Sequence, residues 1–299
     1  MLNYWGLNKQ MSILINKNTK VLVQGITGNI GATQTKYMLK EGTKIVAGVT
    51  PGKGGERVEN IPVFDTVEEA VNNFKIDVSV LFVPARVAKD SVIEAIDAGI
   101  KTVVLITEHT PVHDVMEMKA YALQKKTLLI GPTTPGIITP GECKIGILPA
   151  NMFFPGPVGI ISRSGTLSYE VAANLCTIGI GQSTVVGMGA DRVAGTNLVD
   201  ILKLFNEDKD TKVVVIVGEV GGTQEEDAAE YIRAEMSKPV LAYIAGASAP
   251  PGKRMGHAGA IIEGGKGSAK SKVEALLTAG AKVADRLYEI PSLVKELIS

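Results

Sequence analysis

From Thr19 onward, short apolar runs alternate with stretches whose apolar residues recur at three- and four-residue spacing, and few architectures accommodate that rhythm. Val21-Leu22-Val23, Lys44 to Val49, Val78 to Val83, Thr102 to Thr107 and Leu128-Leu129-Ile130 read as strands. They show no in-out alternation, so both faces are expected to be covered, as in a parallel sheet flanked by helices. Val67 to Phe74 and Ala88 to Ala98 carry the helical spacing between them. The first half therefore reads as an open α/β sheet. Between Gly131 and Pro157 the pattern fails: Pro132, Pro135, Pro140, Pro149, Pro155 and Pro157 crowd together, and proline removes an amide donor and fixes φ. The alternation resumes at Val158-Gly159-Ile160-Ile161, Ser183 to Val186, Lys212 to Val217 and Pro239 to Ala245, each run followed by a glycine-containing turn. The expected organisation is an extension at 1–11, a first α/β domain at 12–131, a proline-rich strap at 132–157 and a second, doubly wound domain at 158–299. A chain of 299 residues with 45% hydrophobic composition has enough apolar material for two cores.

Lys plus Arg and Asp plus Glu both number 31, so no net charge draws the chain to nucleic acid or an acidic membrane surface. Cys143 and Cys176 form neither a CxxC pair nor a disulfide framework, which suits a reducing compartment. No apolar run approaches the roughly 18 residues of a membrane span, and the first residues lack a leader pattern. The expected location is the cytoplasm, or an organelle matrix in a eukaryote.

Gly25-Ile26-Thr27-Gly28-Asn29-Ile30-Gly31 follows a strand and runs into the helical Thr33 to Leu39. Glycines admit close approach of a ligand to the backbone, and a helix N-terminus offers unpaired amides and a partial positive charge to a phosphate. The same spacing also occurs in bare turns. A dinucleotide site needs an acid after the second strand to hold the ribose. Here Ile45 to Thr50 ends without one and leads into Pro51-Gly52-Lys53-Gly54-Gly55. A lysine among glycines matches CoA, with its pyrophosphate and 3′-phosphate, better than NAD; a solvated surface turn is the plain alternative.

In the second half, three segments follow apolar strands, where open α/β sheets place their ligands. Ser162-Arg163-Ser164-Gly165-Thr166-Leu167-Ser168-Tyr169-Glu170 opens a helix with hydroxyls and a glycine, either an ordinary serine cap or a phosphate cradle. Gly218-Glu219-Val220-Gly221-Gly222 holds a carboxylate between glycines. Lys253-Arg254-Met255-Gly256-His257-Ala258-Gly259-Ala260 contains the second half's histidine, with no apolar periodicity around it. An imidazole with an unperturbed pKa of about 6.5 is largely neutral at neutral pH and can act as a nucleophile, base or ligand. A metal role is poorly supported, because His109 and His113 lie in the first half and no Cys-His spacing surrounds His257. A serine hydrolase lacks its Gly-x-Ser-x-Gly elbow. Phosphoryl acceptance by His257, with Glu219 orienting the ring and the Ser164 to Thr166 helix start holding the phosphate, accounts for most of these residues together.

Gly48 to Gly55, Ser162 to Leu167 and Gly252 to Ile262 resemble, in order, signature segments of the α subunits of succinyl-CoA synthetases, and the similarity runs from about Ser12 to the end. The resemblance implies a Rossmann-like CoA-binding domain followed by a flavodoxin-like ligase domain. It further implies that Thr27, Gly28, Asn29, Ile30, Lys53, Ile106, Thr107 and Glu108 line the CoA site and that Tyr169 touches the acyl substrate. Ser164, Gly165 and Thr166 would bind phosphate, His257 would become phosphorylated, and Glu219 would steady it. The nucleoside triphosphate and its Mg would sit on a separate, ATP-grasp β subunit; no Gly-x-x-x-x-Gly-Lys-[Ser/Thr] loop occurs here, so the chain alone is expected to be inactive. Succinate is the default acid. Three departures bear on substrate and CoA contacts: Thr133-Thr134 where asparagine usually comes first, Ala190 and Arg192 where glycine and proline are usual, and Arg86-Val87 in place of Pro-Phe. Rival readings are a sister ligase for malate or citrate, a non-catalytic CoA-binding module, and an NAD-dependent dehydrogenase.

Overall fold

The structure is a computed structural model that describes residues 12–250, 252–262 and 267–298. The expected extension at 1–11 lies outside them. The chain divides into two compact units, one built on Leu14–Leu148 with Val193–Gly195, the other on Pro149–Arg192 with the chain from Thr196 onward.

In the first unit the elements run β1 (Lys20–Gln24), α1 (Asn29–Lys40), β2 (Lys44–Val49), β3 (Arg57–Val58), β4 (Ile61–Phe64), α2 (Val67–Asn73), β5 (Val78–Leu81), α3 (Ala85–Asp97), β6 (Thr102–Leu105), α4 (Val112–Lys125) and β7 (Leu128–Ile130). The strand order is β3-β4-β2-β1-β5-β6-β7, parallel throughout except for the β3–β4 pair. Val21, Leu22 and Val23 are all fully buried, which explains why this strand reads as a continuous apolar run: helices cover both faces. One core gathers Leu22, Ala47, Leu81, Val92, Val103, Leu105 and Met118 beneath α2, α3 and α4. Chain order reverses at β1, which pairs β2 on one side and β5 on the other, and a ligand crevice opens at such a switch point.

The stretch expected as a strap is partly regular. It contains an antiparallel hairpin, β8 (Gly136–Thr139) and β9 (Cys143–Gly146), attached to the first unit. The Thr43 hydroxyl donates to the Lys144 carbonyl at 2.7 Å and accepts the Lys144 amide at 3.0 Å. Pro135 and Pro140 flank β8 rather than interrupt it, so the prolines that hid these strands punctuate their ends.

The second unit runs β10 (Pro155–Ser162), α5 (Gly165–Thr177), β11 (Gln182–Gly187), α6 (Leu198–Glu207), β12 (Val213–Glu219), α7 (Gln224–Glu235), β13 (Val240–Ala245), α8 (Ala269–Thr278), β14 (Lys282–Val283) and α9 (Ile290–Ile298). Its parallel strands lie in the order β14-β13-β12-β10-β11. The order reverses at β10, so the segments after β10 and β12 leave the sheet side by side. Among the described residues no helix is long and apolar enough to cross a membrane.

Candidate active site

Glu219 is the last residue of β12 and is 5% exposed. One carboxylate oxygen, Oε2, lies 2.7 Å from His257 Nδ1. A carboxylate only accepts, so Nδ1 carries a proton, and in the neutral ring the lone pair then lies on Nε2. The ring retains 40% of its exposure, enough for a reactant to reach it. Its loop is built from backbone bonds: Gly252 N–H donates to Ile262 O, Met255 N–H to Ala260 O, and Gly259 N–H to Ala190 O at 2.9 Å. Gly256 takes φ +80°, a conformation that glycine adopts without strain. Gly221 lies so close to this loop that a Cβ there would fall 2.0 Å from the Gly259 carbonyl oxygen. The glycines around Glu219 and His257 thus let two loops touch, which brings the ring onto the carboxylate. The bond from Gly259 uses the Ala190 backbone, so alanine at this departure from the family pattern leaves the tie intact.

The α5 start leaves the neighbouring strand at the same sheet edge, with Arg163 N–H bonded to Val217 O at 3.0 Å. The Ser164 hydroxyl caps the Leu167 amide, and Ser162 Oγ accepts the Ser164 amide. Gly165 and Thr166 have no helical carbonyl four residues back, so their amides are the ones suited to an anion. Tyr169 follows in the second turn of α5, half-buried.

Sequence reasoning missed the charges behind this edge. Arg163, 3% exposed, places Nη2 3.2 Å from Glu219 Oε1 and Nη1 3.1 Å from Glu225 Oε1. Glu225 and Lys272 are fully buried and paired, and Lys272 Nζ and Arg163 Nη1 each donate to Gly221 O at 2.9 Å. Burial alone would raise the Glu225 pKa, but Arg163 and Lys272 outweigh it and hold the carboxyl below its ordinary value. Burial likewise works against the Arg163 charge, and Glu225 and Glu219 overcome it. One signal for Lys272 was present: it occupies an apolar spacing on α8 between buried Ala269 and Leu276.

In the first unit the expected CoA residues follow the carboxyl ends of β1, β2 and β6. Gly25 takes φ +75° and donates its amide to Val49 O at 2.8 Å. A Cβ on Gly31 would lie 2.1 Å from Gly25 O, so this glycine closes the turn onto α1, whereas one on Gly28 would meet that oxygen at 3.3 Å. Gly28 caps α1 with no side-chain bond, no acid occupies the first turn, and Ile30 stands 65% exposed. That amide-rich, acid-free loop fits a pyrophosphate. The Thr27 amide donates to Thr50 Oγ1 at 3.4 Å. Lys53 pairs with Glu56 at 3.0 Å, both half-exposed, beside an open depression of about 380 Å³ lined by Gly54 and Gly55. The Thr107 hydroxyl donates to Val83 O at 2.7 Å, Ile106 is half-buried, and Glu108 is exposed next to His109. Arg86 and Val87 begin α3 at this same edge.

Comparison with known proteins agrees with both halves. A CoA binding domain family model matches residues 16–109 and a CoA-ligase family model matches residues 161–282. Succinate–CoA ligase [ADP-forming] subunit alpha 2 of Archaeoglobus fulgidus is 58% identical over 288 residues, covering 96% of this chain and 100% of the relative. The corresponding alpha subunit of Staphylococcus aureus is 57% identical over 286 residues, 96% of this chain and 95% of its own. Among solved structures, a D541A mutant of Methanosaeta concilii ATP citrate lyase in complex with (3S)-citryl-CoA matches with TM-score 0.88 and 26% identity, over 97% of this chain. This chain spans only 51% of that lyase, about half its length. A dinucleotide-forming acetyl-coenzyme A synthetase of Ca. Korarchaeum cryptofilum shares the fold, with TM-score 0.76 at 22% identity over 93% of this chain and 60% of its own. A CoA-binding domain, a CoA-ligase domain after it, and identity of this order along nearly the whole length leave one conclusion: the chain belongs to the succinate–CoA ligase α-subunit family of acid–thiol ligases.

Proposed function

We propose that the chain is the CoA-binding, phosphoryl-carrying subunit of a cytoplasmic succinate–CoA ligase whose nucleoside triphosphate and Mg are held by an ATP-grasp β subunit. The observation that carries this reading is the 2.7 Å contact between His257 Nδ1 and Glu219. Glu219 fixes the tautomer that places the lone pair on Nε2 and balances the charge that develops on the ring. His257 Nε2 attacks the terminal phosphorus as the bond to the leaving diphosphate breaks. It then gives the phosphoryl group to a succinate carboxylate oxygen and returns to neutral imidazole. The acyl phosphate is opened when the CoA sulfur bonds to the acyl carbon; phosphate leaves, and the thiol proton goes to solvent. Ser164, Gly165 and Thr166 anchor the phosphoryl group through the α5 N-terminus, and Tyr169 contacts the acid. Thr27, Gly28, Asn29, Ile30 and Lys53 take the CoA phosphates, with Ile106, Thr107 and Glu108 along the same sheet edge. Succinate is favoured over malate or citrate because the relatives at 57–58% identity carry that name, whereas the citrate enzyme stands at 26%. The test is incubation of the reconstituted αβ complex with γ-labelled nucleotide. Wild type gains acid-labile label and His257→Asn gains none; label persisting on the variant refutes the assignment.

A further inference from the structure

We propose that Glu225 and Lys272, acting through Arg163 and the Glu219 loop, are positioning residues for phosphoryl transfer at His257. The inference rests on His257 being the phosphoryl acceptor. Lys272 and Glu225 are wholly buried, and desolvating such a pair is expensive enough that apolar replacements often do as well for stability. What the pair holds is more informative than what it weighs. Glu225 Oε1 accepts the Glu219 amide at 3.2 Å and Arg163 Nη1 at 3.1 Å, and its Oε2 pairs with Lys272. Both cations meet at Gly221 O. The backbone on each side of the Glu219 side chain is thereby tied down, and Arg163 Nη2 faces Oε1. Oε2 is turned to the ring.

The charges are arranged to the same end. Arg163 lies between two carboxylates, so Glu225 offsets much of its positive charge and Glu219 keeps its own for His257. Without Glu225, the guanidinium would draw on Glu219 alone and compete with the imidazole N–H for it. Lys272 supplies the second positive charge that keeps Glu225 ionised in the interior; Glu226, 3.6 Å away and held by the Ser271 hydroxyl, is the other carboxylate facing it.

The charge-balanced double variant Glu225→Gln/Lys272→Met, assembled with the β subunit, tests this in single-turnover labelling with γ-labelled nucleotide. The expected result is a phosphorylation rate constant lowered about 10- to 100-fold, the range over which outer partners of a functional histidine act, with CoA affinity unchanged. Arg163→Lys keeps the charge but cannot span Glu219 and Glu225, and is expected to slow labelling similarly without disturbing assembly. Asp227→Asn removes a charge from an exposed carboxylate in the same turn of α7, 3.5 Å from the Thr223 hydroxyl, and is expected to label at the wild-type rate. A purely structural role would lower the unfolding temperature and the number of labelled sites while leaving the rate constant per site unchanged. That outcome, or a wild-type rate in Arg163→Lys, overturns the inference. Failure of wild type itself to take label would instead overturn the reading of His257.

Discussion

Gly28 and Gly31 stand three residues apart in one loop, yet the proposed CoA site gives them different duties, and alanine at each separates them. At Gly31 a Cβ would lie 2.1 Å from Gly25 O and 2.9 Å from Gly25 C. The obstacle is backbone and cannot rotate away. Gly25 is itself pinned, with its amide on Val49 O and its own Cβ position 2.6 Å from Phe82 O. The α1 helix must therefore shift outward or the turn must flatten. Overpacking costs about 1–3 kcal/mol where side chains can yield, and with rigid backbone on both sides we expect about 3 kcal/mol. For a unit of this size that corresponds to a fall of about 6–12 °C in the first unit's unfolding temperature. At Gly28 the nearest atom is Gly25 O at 3.3 Å and φ is −69°, so alanine fits, and trading Gly for Ala at an N-cap costs at most about 1 kcal/mol. In the proposed CoA site the methyl group would nonetheless stand where the pyrophosphate approaches. Losing one or two charge-assisted bonds there weakens CoA binding by about 10- to 100-fold. Calorimetric unfolding and CoA titration of both variants read the two effects separately. The reasoning is refuted if Gly31→Ala unfolds within about 1 °C of wild type, or if Gly28→Ala binds CoA with unaltered affinity.

The Glu225 carboxyl is held below its ordinary value, so its stabilisation is present in full above the unfolded glutamate pKa of about 4.3 and is lost as pH falls through the lower folded value. In urea titrations, the stability gap between wild type and Glu225→Gln should stay constant from pH 7 to 5 and close below about pH 4; a gap that widens with acid would contradict the pairing. In the second core, a Cβ on Gly159 would lie 2.5 Å from the Phe205 ring, a side chain that can be trimmed. Gly159→Ala should cost about 1–3 kcal/mol, and a double-mutant cycle with Phe205→Leu should recover about 1 kcal/mol of it; strict additivity would show that the contact does not limit packing.

How far the sequence revealed this molecule depends on where each interaction lies along the chain. Val21-Leu22-Val23 and Val213 to Val217 were legible as parallel strands because burial on both faces leaves an unbroken apolar run, a purely local mark. His257 stood out for the opposite reason: glycines and polar residues around a histidine cannot be an apolar face, so its loop had to lie near a surface. The β3–β4 pair was invisible because a two-residue strand carries no period, and β8 and β9 were hidden by prolines that end strands as readily as they end helices.

The charge cluster was hidden for a deeper reason. Glu225 opens α7 beside Glu226 and Asp227, and three acids in a first turn have a sufficient explanation in the helix dipole. Nothing local distinguishes the one that is fully buried. Its partners, Arg163 and Lys272, lie 62 and 47 residues away, and the sheet order that brings them together cannot be read from either segment alone. Lys272 is the exception that helps, since it sits at an apolar spacing on α8. Lysine can keep its ammonium in water from many half-buried positions by extending its stem. At 0% exposure it has no such path and needs a buried carboxylate instead. A lysine on an apolar stripe therefore predicts an acid elsewhere in the chain, and in this fold the acid that meets it also grips the amide of the residue orienting His257.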